Sequence, residues 1–138
     1  MQNLFISPDD EFVINFCVAI DKNNVIYCDL ERKSLVTSLE NMDKKVEDFS
    51  IEEYHATFKK PSFGDVSKLY DEIFMSADGE SIPNPMIVRY NKIAALIKSW
   101  DLKGTKEKPE REEIMALHPV IAMAIGLMLD LETDGIFN

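Results

Sequence analysis

The residues of this sequence best suited to hold a metal ion lie between positions 130 and 135. Asp130, Glu132 and Asp134 alternate before Gly135, and oxygen ligands at alternate positions before a glycine are typical of the opening of a calcium-binding loop. Glu132 is atypical at its place in such a loop, and the sequence has no counterpart of the glutamate that closes it. We therefore predict a solvated helix end with a turn at 134–135, and no metal ion.

The two histidines and the two cysteines offer no catalytic pattern. His55 falls at the outward position of a predicted strand, and His118 precedes Pro119 at a predicted helix junction. Neither stands beside a Ser, Cys or acid arranged as in a catalytic triad. Cys17 and Cys28 are not spaced as a CxxC motif, and two thiols alone do not complete a zinc site. Because the nucleophile elbow, the dinucleotide fingerprint and the P-loop are also absent, we expect no catalytic residues, no cofactor and no enzyme.

The cysteine pair leaves one redox question open. If residues 21–24 make a hairpin turn that pairs Ile20 with Val25, then Cys17 falls opposite Cys28, and a disulfide between them is geometrically possible. A reducing cytoplasm favours two free thiols instead.

Large apolar residues in the second half of the sequence are the candidates for contacting another protein. Methionine adapts to varied apolar partners, and tryptophan is enriched at the energetic centres of interfaces. The run 119–131 is apolar nearly all round, which is a large apolar surface for a small domain to cover alone. Core packing is the alternative for each of these residues, and it is favoured for Trp100. The candidates are Trp100, Met115, Val120, Met123, Leu127 and Met128, of which we place Met128 on the outer face of the last helix.

The charge balance excludes several classes of partner. The sequence has 15 Lys and Arg against 25 Asp and Glu, a net charge of −10. Such a surface repels the phosphates of nucleic acids and of anionic membranes, and it attracts basic partners or simply maintains solubility. The longest apolar run, 120–129, is about half the length of a membrane span. We expect a cytoplasmic protein that binds neither nucleic acid nor membrane.

The first third of the sequence predicts β-structure. Phe12, Ile14, Phe16, Val18 and Ile20 alternate onto one face, as in a half-buried strand. Turn residues at 21–24 and a return strand at 25–29 complete a hairpin. Alternation at 54–58, ended by Pro61, predicts a third strand. Residues 30–48 are compatible with a short helix or with a long loop, and the sequence does not decide between them.

The remainder predicts helices. Asp65 is placed as the N-cap of the first of them, and Asn84 with Pro85 as the start of the second. A third helix covers 110–117 after a charged linker, and a last one covers 119–131. The buried stripes are Val66, Leu69, Tyr70, Ile73 and Phe74 in the first helix, and Met86, Tyr90, Ile93, Ile97 and Trp100 in the second.

This order of elements predicts the α+β fold class in one domain, 1–138. The domain is β-rich over 1–60 and helical over 61–138. Its architecture is an N-terminal β-hairpin plus a third strand, followed by a C-terminal bundle of three to four helices.

Two segments together resemble a known family. They are Phe-Lys-Lys-Pro-Ser-Phe-Gly-Asp at 58–65, and Asn-Pro-Met-Ile-Val-Arg-Tyr-Asn-Lys-Ile at 84–93, which runs on to Leu-Ile-Lys-Ser-Trp-Asp-Leu at 96–102. With the final helix led by Pro119, this succession resembles the tail assembly chaperones and baseplate-hub assembly proteins of tailed bacteriophages. The resemblance covers about residues 58–129, and the N-terminal hairpin lies outside it.

The resemblance implies a non-enzymatic role in assembling a virion tail. Such a protein binds other tail or baseplate proteins, and its own copies are a further candidate partner. It acts in the host cytoplasm during assembly, or stays in the virion tail, and a transient chaperone and a resident adaptor both remain open. Two alternatives come from other classes. An acidic DNA mimic that inhibits a host enzyme needs its carboxylates on one face, whereas here the acids are scattered. The other is a small enzyme with an unrecognised site.

Overall fold

The computed structural model describes residues 4–76, 85–104 and 107–133, and the side chains of all of these except 72–76, 85 and 87. Within these residues an antiparallel four-stranded sheet is followed mainly by helices. The predicted α+β class is therefore confirmed. In chain order the elements are β1 (Glu11–Asp21), β2 (Ile26–Asp29), α1 (Arg32–Asn41), β3 (Phe49–Lys59), α2 (Phe63–Ser76), α3 (Pro85–Leu96), β4 (Ile97–Trp100), α4 (Arg111–Met115) and α5 (Pro119–Glu132).

The sheet has the strand order β2-β1-β3-β4, and β1 pairs with β3 along its whole length. Successive side chains of a strand point to opposite faces, so the alternating apolar residues of β1 share one face. These residues pack in one core with the alternating residues of β3, which confirms both strand predictions. The shared face carries Phe12, Ile14, Phe16, Val18 and Ile20 from β1 with Tyr54, Ala56 and Phe58 from β3.

The opposite face of the sheet is covered by α1. Leu35 and Leu39 lie one turn apart on this helix and are buried against Cys17 and Ala19 of β1. The question left open for residues 30–48 is thus settled as a helix followed by a short 3₁₀ turn at Val46–Asp48. Strand β1 is consequently buried on both faces over part of its length, and not on one face only as its pattern predicts.

The hairpin turn is one residue longer than predicted. The Asp21 carboxylate accepts hydrogen bonds from the backbone N–H groups of Asn23 and Val25 at 2.8 and 2.9 Å, and Asn24 supplies the left-handed backbone with φ of 62°. Ile20 therefore pairs with Ile26, and not with Val25.

This shift of register separates the two cysteines. Cys17 lies opposite Asp29, and Cys28 lies opposite Val18. A shift of one residue moves a side chain to the other face of a sheet. Cys17 accordingly packs under α1 and Cys28 packs in the main core, and both are free thiols. The register that would place Cys17 opposite Cys28 is therefore wrong, and the free thiols that a reducing cytoplasm favours are observed.

The second predicted helix stops short of Trp100. Helix α3 ends at Leu96, and the next four residues form the edge strand β4 against β3. Thr57 pairs with Ser99 and Phe58 pairs with Ile97, so one residue of β4 is left over as a β-bulge. Ile97 and Trp100 are three residues apart and would face opposite sides of a regular strand. The bulge lets both enter the core, and their spacing therefore imitates a helical stripe.

Helix α2 begins with a capping box. The Ser62 hydroxyl accepts from the Asp65 N–H at 3.2 Å, while the Asp65 carboxylate accepts from the Ser62 N–H at 2.9 Å. Ser62 is thus the N-cap, and the prediction of Asp65 in that role is wrong. Burial raises the pKa of Asp65, but hydrogen bonds from Ser62 and the Lys59 ammonium at 2.9 Å outweigh it, so the net pKa is lowered. Leu69 is buried as predicted, whereas the side chains of Ile73 and Phe74 and the predicted cap Asn84 lie outside the described residues.

Helices α3, α4 and α5 pack on the face of the sheet opposite α1. Their buried members include Ile93, Leu96, Ile114, Ile125 and Leu129. Helix α4 is shorter than predicted, and its first turn is closed by reciprocal bonds between Glu110 and Glu113. Helix α5 begins at Pro119 as predicted, because the His118 ring nitrogen Nδ1 accepts from the Val120 N–H at 3.2 Å and caps it.

Candidate partner-binding face

Helix α5 has one buried face and one exposed apolar face. Ile125, Met128 and Leu129 are buried against the sheet. On the other side Val120, Leu127 and Leu131 are 38%, 51% and 72% exposed. At 3.6 residues per turn the exposed residues fall in one row, together with the partly buried Met123 and Ala124. The row spans about 16 Å along the helix. We call it the α5 stripe: Val120, Met123, Ala124, Leu127 and Leu131.

Four of the six predicted contact residues lie at this exposed face. Val120, Met123 and Leu127 belong to the α5 stripe, and Met115 at the end of α4 is 64% exposed.

The other two predicted residues pack elsewhere. Trp100 is buried in the core, which agrees with the core packing that was the favoured alternative for it. Met128 is only 6% exposed. The placement of Met128 on the outer face is therefore wrong, because Met128 lies between the core residues Ile125 and Leu129 on the inner side of the helix. Whether the exposed residues contact another protein stays a prediction.

Sequence reasoning missed two residues of the exposed face. Leu131 follows Leu127 by four residues, a spacing that places both on one side of a helix, and the sequence carried this signal. Met86, on the first turn of α3, is about half exposed. Its spacing predicts a place in the buried stripe of the second helix, whereas the docking of α3 against α4 and α5 leaves it at the border of an open groove.

A groove of about 550 Å³ opens beside the α5 stripe, between α3, α4 and α5. Met123 belongs to both the stripe and the groove, so the two form one continuous surface. Three methionines line the groove, and such side chains adapt to partners of varied shape. We call it the methionine groove: Met86, Tyr90, Ile93, Ile114, Met115, Leu117, Pro119, Ala122 and Met123, with Arg89, Asn91 and Arg111.

The two charged residues of the methionine groove are both arginines. The Arg89 guanidinium reaches the Met123 sulfur at 3.1 Å, and the Arg111 guanidinium lies 5.7 Å from the centre of the Tyr90 ring. Neither arginine forms an ion pair in the part of the chain that the structure describes. The lining of the methionine groove therefore carries two positive charges and no carboxylate.

A buried ion pair fixes α3 against α5. The Lys92 ammonium lies 2.8 Å from the Asp130 carboxylate, and the Lys92 side chain is almost wholly buried. A buried ammonium requires a counter-charge, so Asp130 serves the packing of the two helices. Asp134 and Gly135 of the predicted turn lie outside the described residues. Within the described residues, no group of three or more His, Cys, Asp or Glu gathers in a way that could hold a metal ion.

A second cleft, of about 670 Å³, lies between the sheet and the end of α4. Among its lining residues, Glu52 accepts side-chain hydrogen bonds from the Tyr54 hydroxyl and from the Lys103 ammonium. Hydrogen bonds from Lys103 and Tyr54 lower the pKa of Glu52. Burial, with the adjacent carboxylate, raises the pKa of Tyr54 to about 12. At neutral pH Glu52 is thus ionised and Tyr54 protonated, which does not match the pKa near 7 that suits acid–base catalysis.

The two cysteine thiols are protonated, and the two histidines make local contacts. Burial raises the pKa of the Cys28 thiol to about 12 and also raises that of Cys17, so both remain protonated and unreactive at neutral pH. His55 is exposed beside Asn15 and Glu53, in the outward position that its strand pattern predicts. His118 caps α5.

Comparisons with known proteins add no family to these observations. No protein-family model, no curated protein and no solved structure matches the chain. The resemblance over residues 58–129 therefore remains a prediction from the residue pattern. Among the helices of the described segments, none has both the length and the apolar character that a bilayer span requires.

Proposed function

We propose that this chain is a non-enzymatic assembly protein that binds other proteins of a bacteriophage tail or baseplate, as a chaperone or as a structural adaptor. One observation carries the binding role: the α5 stripe exposes Val120, Leu127 and Leu131 in a single row. Scattered exposed apolar residues are ordinary, whereas an aligned row beside an apolar groove is typical of a surface that another protein covers.

The area of the α5 stripe alone is too small for a stable complex. Burying the exposed parts of Leu127 and Leu131 stabilises a complex by on the order of 1–2 kcal/mol each. Association itself costs roughly 4–15 kcal/mol, so the stripe alone supports no stable complex. A specific interface covers about 800 Å² of each partner. The methionine groove, with Met115 at its edge, widens the stripe toward that size.

The phage context comes from the residue pattern. The segments of the resemblance correspond to the capped start of α2, to α3 with β4, and to α5. Helix α5 also carries the α5 stripe, and α3 and α5 form two walls of the methionine groove. This agreement between the resembling residues and the exposed apolar surface supports a role in tail assembly.

The proposal is tested by co-expressing the chain with each tail and baseplate protein encoded in the same genome. Complexes are measured by size-exclusion chromatography with light scattering. We expect a stable complex with at least one of these proteins and its loss in Leu127→Glu. The matched control is Met42→Glu, because Met42 is 45% exposed and lies at the end of α1, across the sheet from α5.

Two outcomes would contradict the proposal in different ways. A complex that tolerates Leu127→Glu as well as Met42→Glu would move the binding surface away from α5. Failure of every tail and baseplate protein to bind would remove the phage role, and capture of a host DNA-processing enzyme instead would favour the acidic mimic.

A further inference from the structure

Within the described segments the two arginines of the methionine groove form no ion pair, like Arg32 and several surface lysines, whereas four other lysines are paired. Lys59, Lys92, Lys98 and Lys103 each lie within 2.9 Å of a carboxylate oxygen. The sequence offers 25 acids for such pairing, yet within the described segments neither Arg89 nor Arg111 has a carboxylate partner. Both side chains line one groove.

Among the described residues, the contacts that these arginines make leave most of their hydrogen-bond donors unused. A thioether sulfur is a weak acceptor, and it is the partner of Arg89. Arg111 lies near the face of the Tyr90 ring, and no carboxylate of the described segments pairs with its guanidinium group. A planar guanidinium with free donors binds a carboxylate in two parallel hydrogen bonds.

We infer that the methionine groove and the α5 stripe take an amphipathic α-helix of another protein, whose apolar row is edged by carboxylates that pair with Arg89 and Arg111. This inference rests on the proposed function and names the chemistry of the partner. The apolar floor takes the large side chains of the incoming helix, and the arginines fix its register.

The dimensions of the surface fit a helix. The α5 stripe is three turns long, so a helix lying along it offers apolar residues at i, i+3 or i+4, and i+7. The groove is walled by three helices, and side chains of an added helix fit between those of its neighbours. An extended strand would instead require an unpaired sheet edge, and the two edge strands, β2 and β4, lie in a separate layer from this surface.

The inference makes a demanding prediction, because the chain as a whole favours the opposite charge. A net charge of −10 attracts basic peptides over long range. Selection of acidic peptides by this protein would therefore report on the groove and not on the average surface.

The test uses a displayed library of helical peptides. Leucine or methionine occupies i, i+3, i+4 and i+7, and the flanking positions vary among Glu, Gln and Lys. The library is selected on the immobilised full chain, and the affinity of the most enriched peptide is measured by calorimetry. We expect Glu at the flanking positions, at least about fivefold weaker binding to Arg111→Gln, and a preference for Lys-flanked peptides in Arg111→Glu.

Matched controls separate the groove from general effects. Arg111 is exposed and begins α4, where a glutamate suits the helix dipole, so we expect Arg111→Glu to keep the wild-type melting temperature. Arg32→Glu, at the start of α1, makes the same charge change across the sheet and should leave affinity unchanged. Leu127→Glu should abolish peptide binding.

Several results would overturn the inference while leaving the proposed function standing. They are enrichment of Lys or Gln at the flanking positions, equal binding to Arg111→Glu and wild type, and no enrichment at all. Sedimentation of the free chain adds another, since a dimer that Leu127→Glu dissociates would assign the surface to a second copy. The proposed function is tested separately by co-expression. If it is wrong, no tail or baseplate protein will form a complex with the chain, even where acidic peptides bind to the groove.

Discussion

Replacing Met128 by alanine should destabilise the protein strongly, whereas the same replacement at its neighbour Leu127 should not. Met128 is 6% exposed and packs with Ile125 and Leu129 in the main core, and truncating such a side chain costs about 2–4 kcal/mol. Leu127 is 51% exposed, so its truncation loses less packing, and alanine suits a helix at least as well. We expect a cost below about 1 kcal/mol there.

The assay is urea unfolding at 25 °C with linear extrapolation to water, with the slope compared between variants to check that unfolding stays two-state. Because the two positions are adjacent on one helix, differences in helix propensity and in position along α5 nearly cancel. Equal losses at both positions would mean that α5 is enclosed on all sides. A larger loss at Leu127 would mean that the helix is rotated, and the stripe would then have to be abandoned.

The remaining predictions concern the ion pair, the capping box and the thiols. Asp130→Asn should lower the free energy of unfolding by roughly 1–3 kcal/mol, because it removes the carboxylate that lies 2.8 Å from the buried Lys92 ammonium, while the exposure of Asp130 moderates the loss. Asp65 has a lowered pKa in the folded state, so its stabilisation is present above its unfolded pKa and is lost as pH falls through the folded pKa. Asp65→Asn should therefore cost about 1 kcal/mol at pH 7, and this difference should shrink toward zero in acid. Cys17 and Cys28 should both titrate as free thiols in the unfolded, non-reduced protein, and alkylation of the folded protein at pH 8 should be slow.

Each of these has a result that would count against it. Glu132→Gln is the control for Asp130→Asn, since both remove one acidic charge from the end of α5. Equal stability of the two variants would mean that the ion pair between Lys92 and Asp130 does not stabilise the fold. An Asp65→Asn difference that persists unchanged at pH 2 would remove the electrostatic account of the cap. A non-reduced chain with no free thiol would mean that the sheet register is wrong.

The sequence predicted those features of the fold that depend on local periodicity. Alternation in β1 and β3 identified their inward faces, and Pro119 with the apolar run after it identified α5. These signals are strong because a residue's face follows directly from the period of the element.

Features that depend on long-range pairing were missed. Strand β4 forms because the edge of β3 offers hydrogen-bonding groups, and its bulge gives Ile97 and Trp100 the spacing of a helix. The sequence also could not identify which side of α5 faces outward, because the helix is apolar nearly all round. Only the positions of α3 and the sheet show that Met128 is inside and Leu131 outside.

Oxidative footprinting of methionines tests most directly whether the surface formed by the α5 stripe and the methionine groove binds another protein. Met115 is 64% exposed beside this face, and Met42 is 45% exposed on the other side of the sheet, so each chain carries its own control. The protein is oxidised briefly, alone and in its complex with a tail or baseplate partner, and the oxidation of each methionine is measured by mass spectrometry. We predict strong protection of Met115 in the complex and unchanged oxidation of Met42. Unchanged oxidation of Met115 in a stable complex would contradict the account.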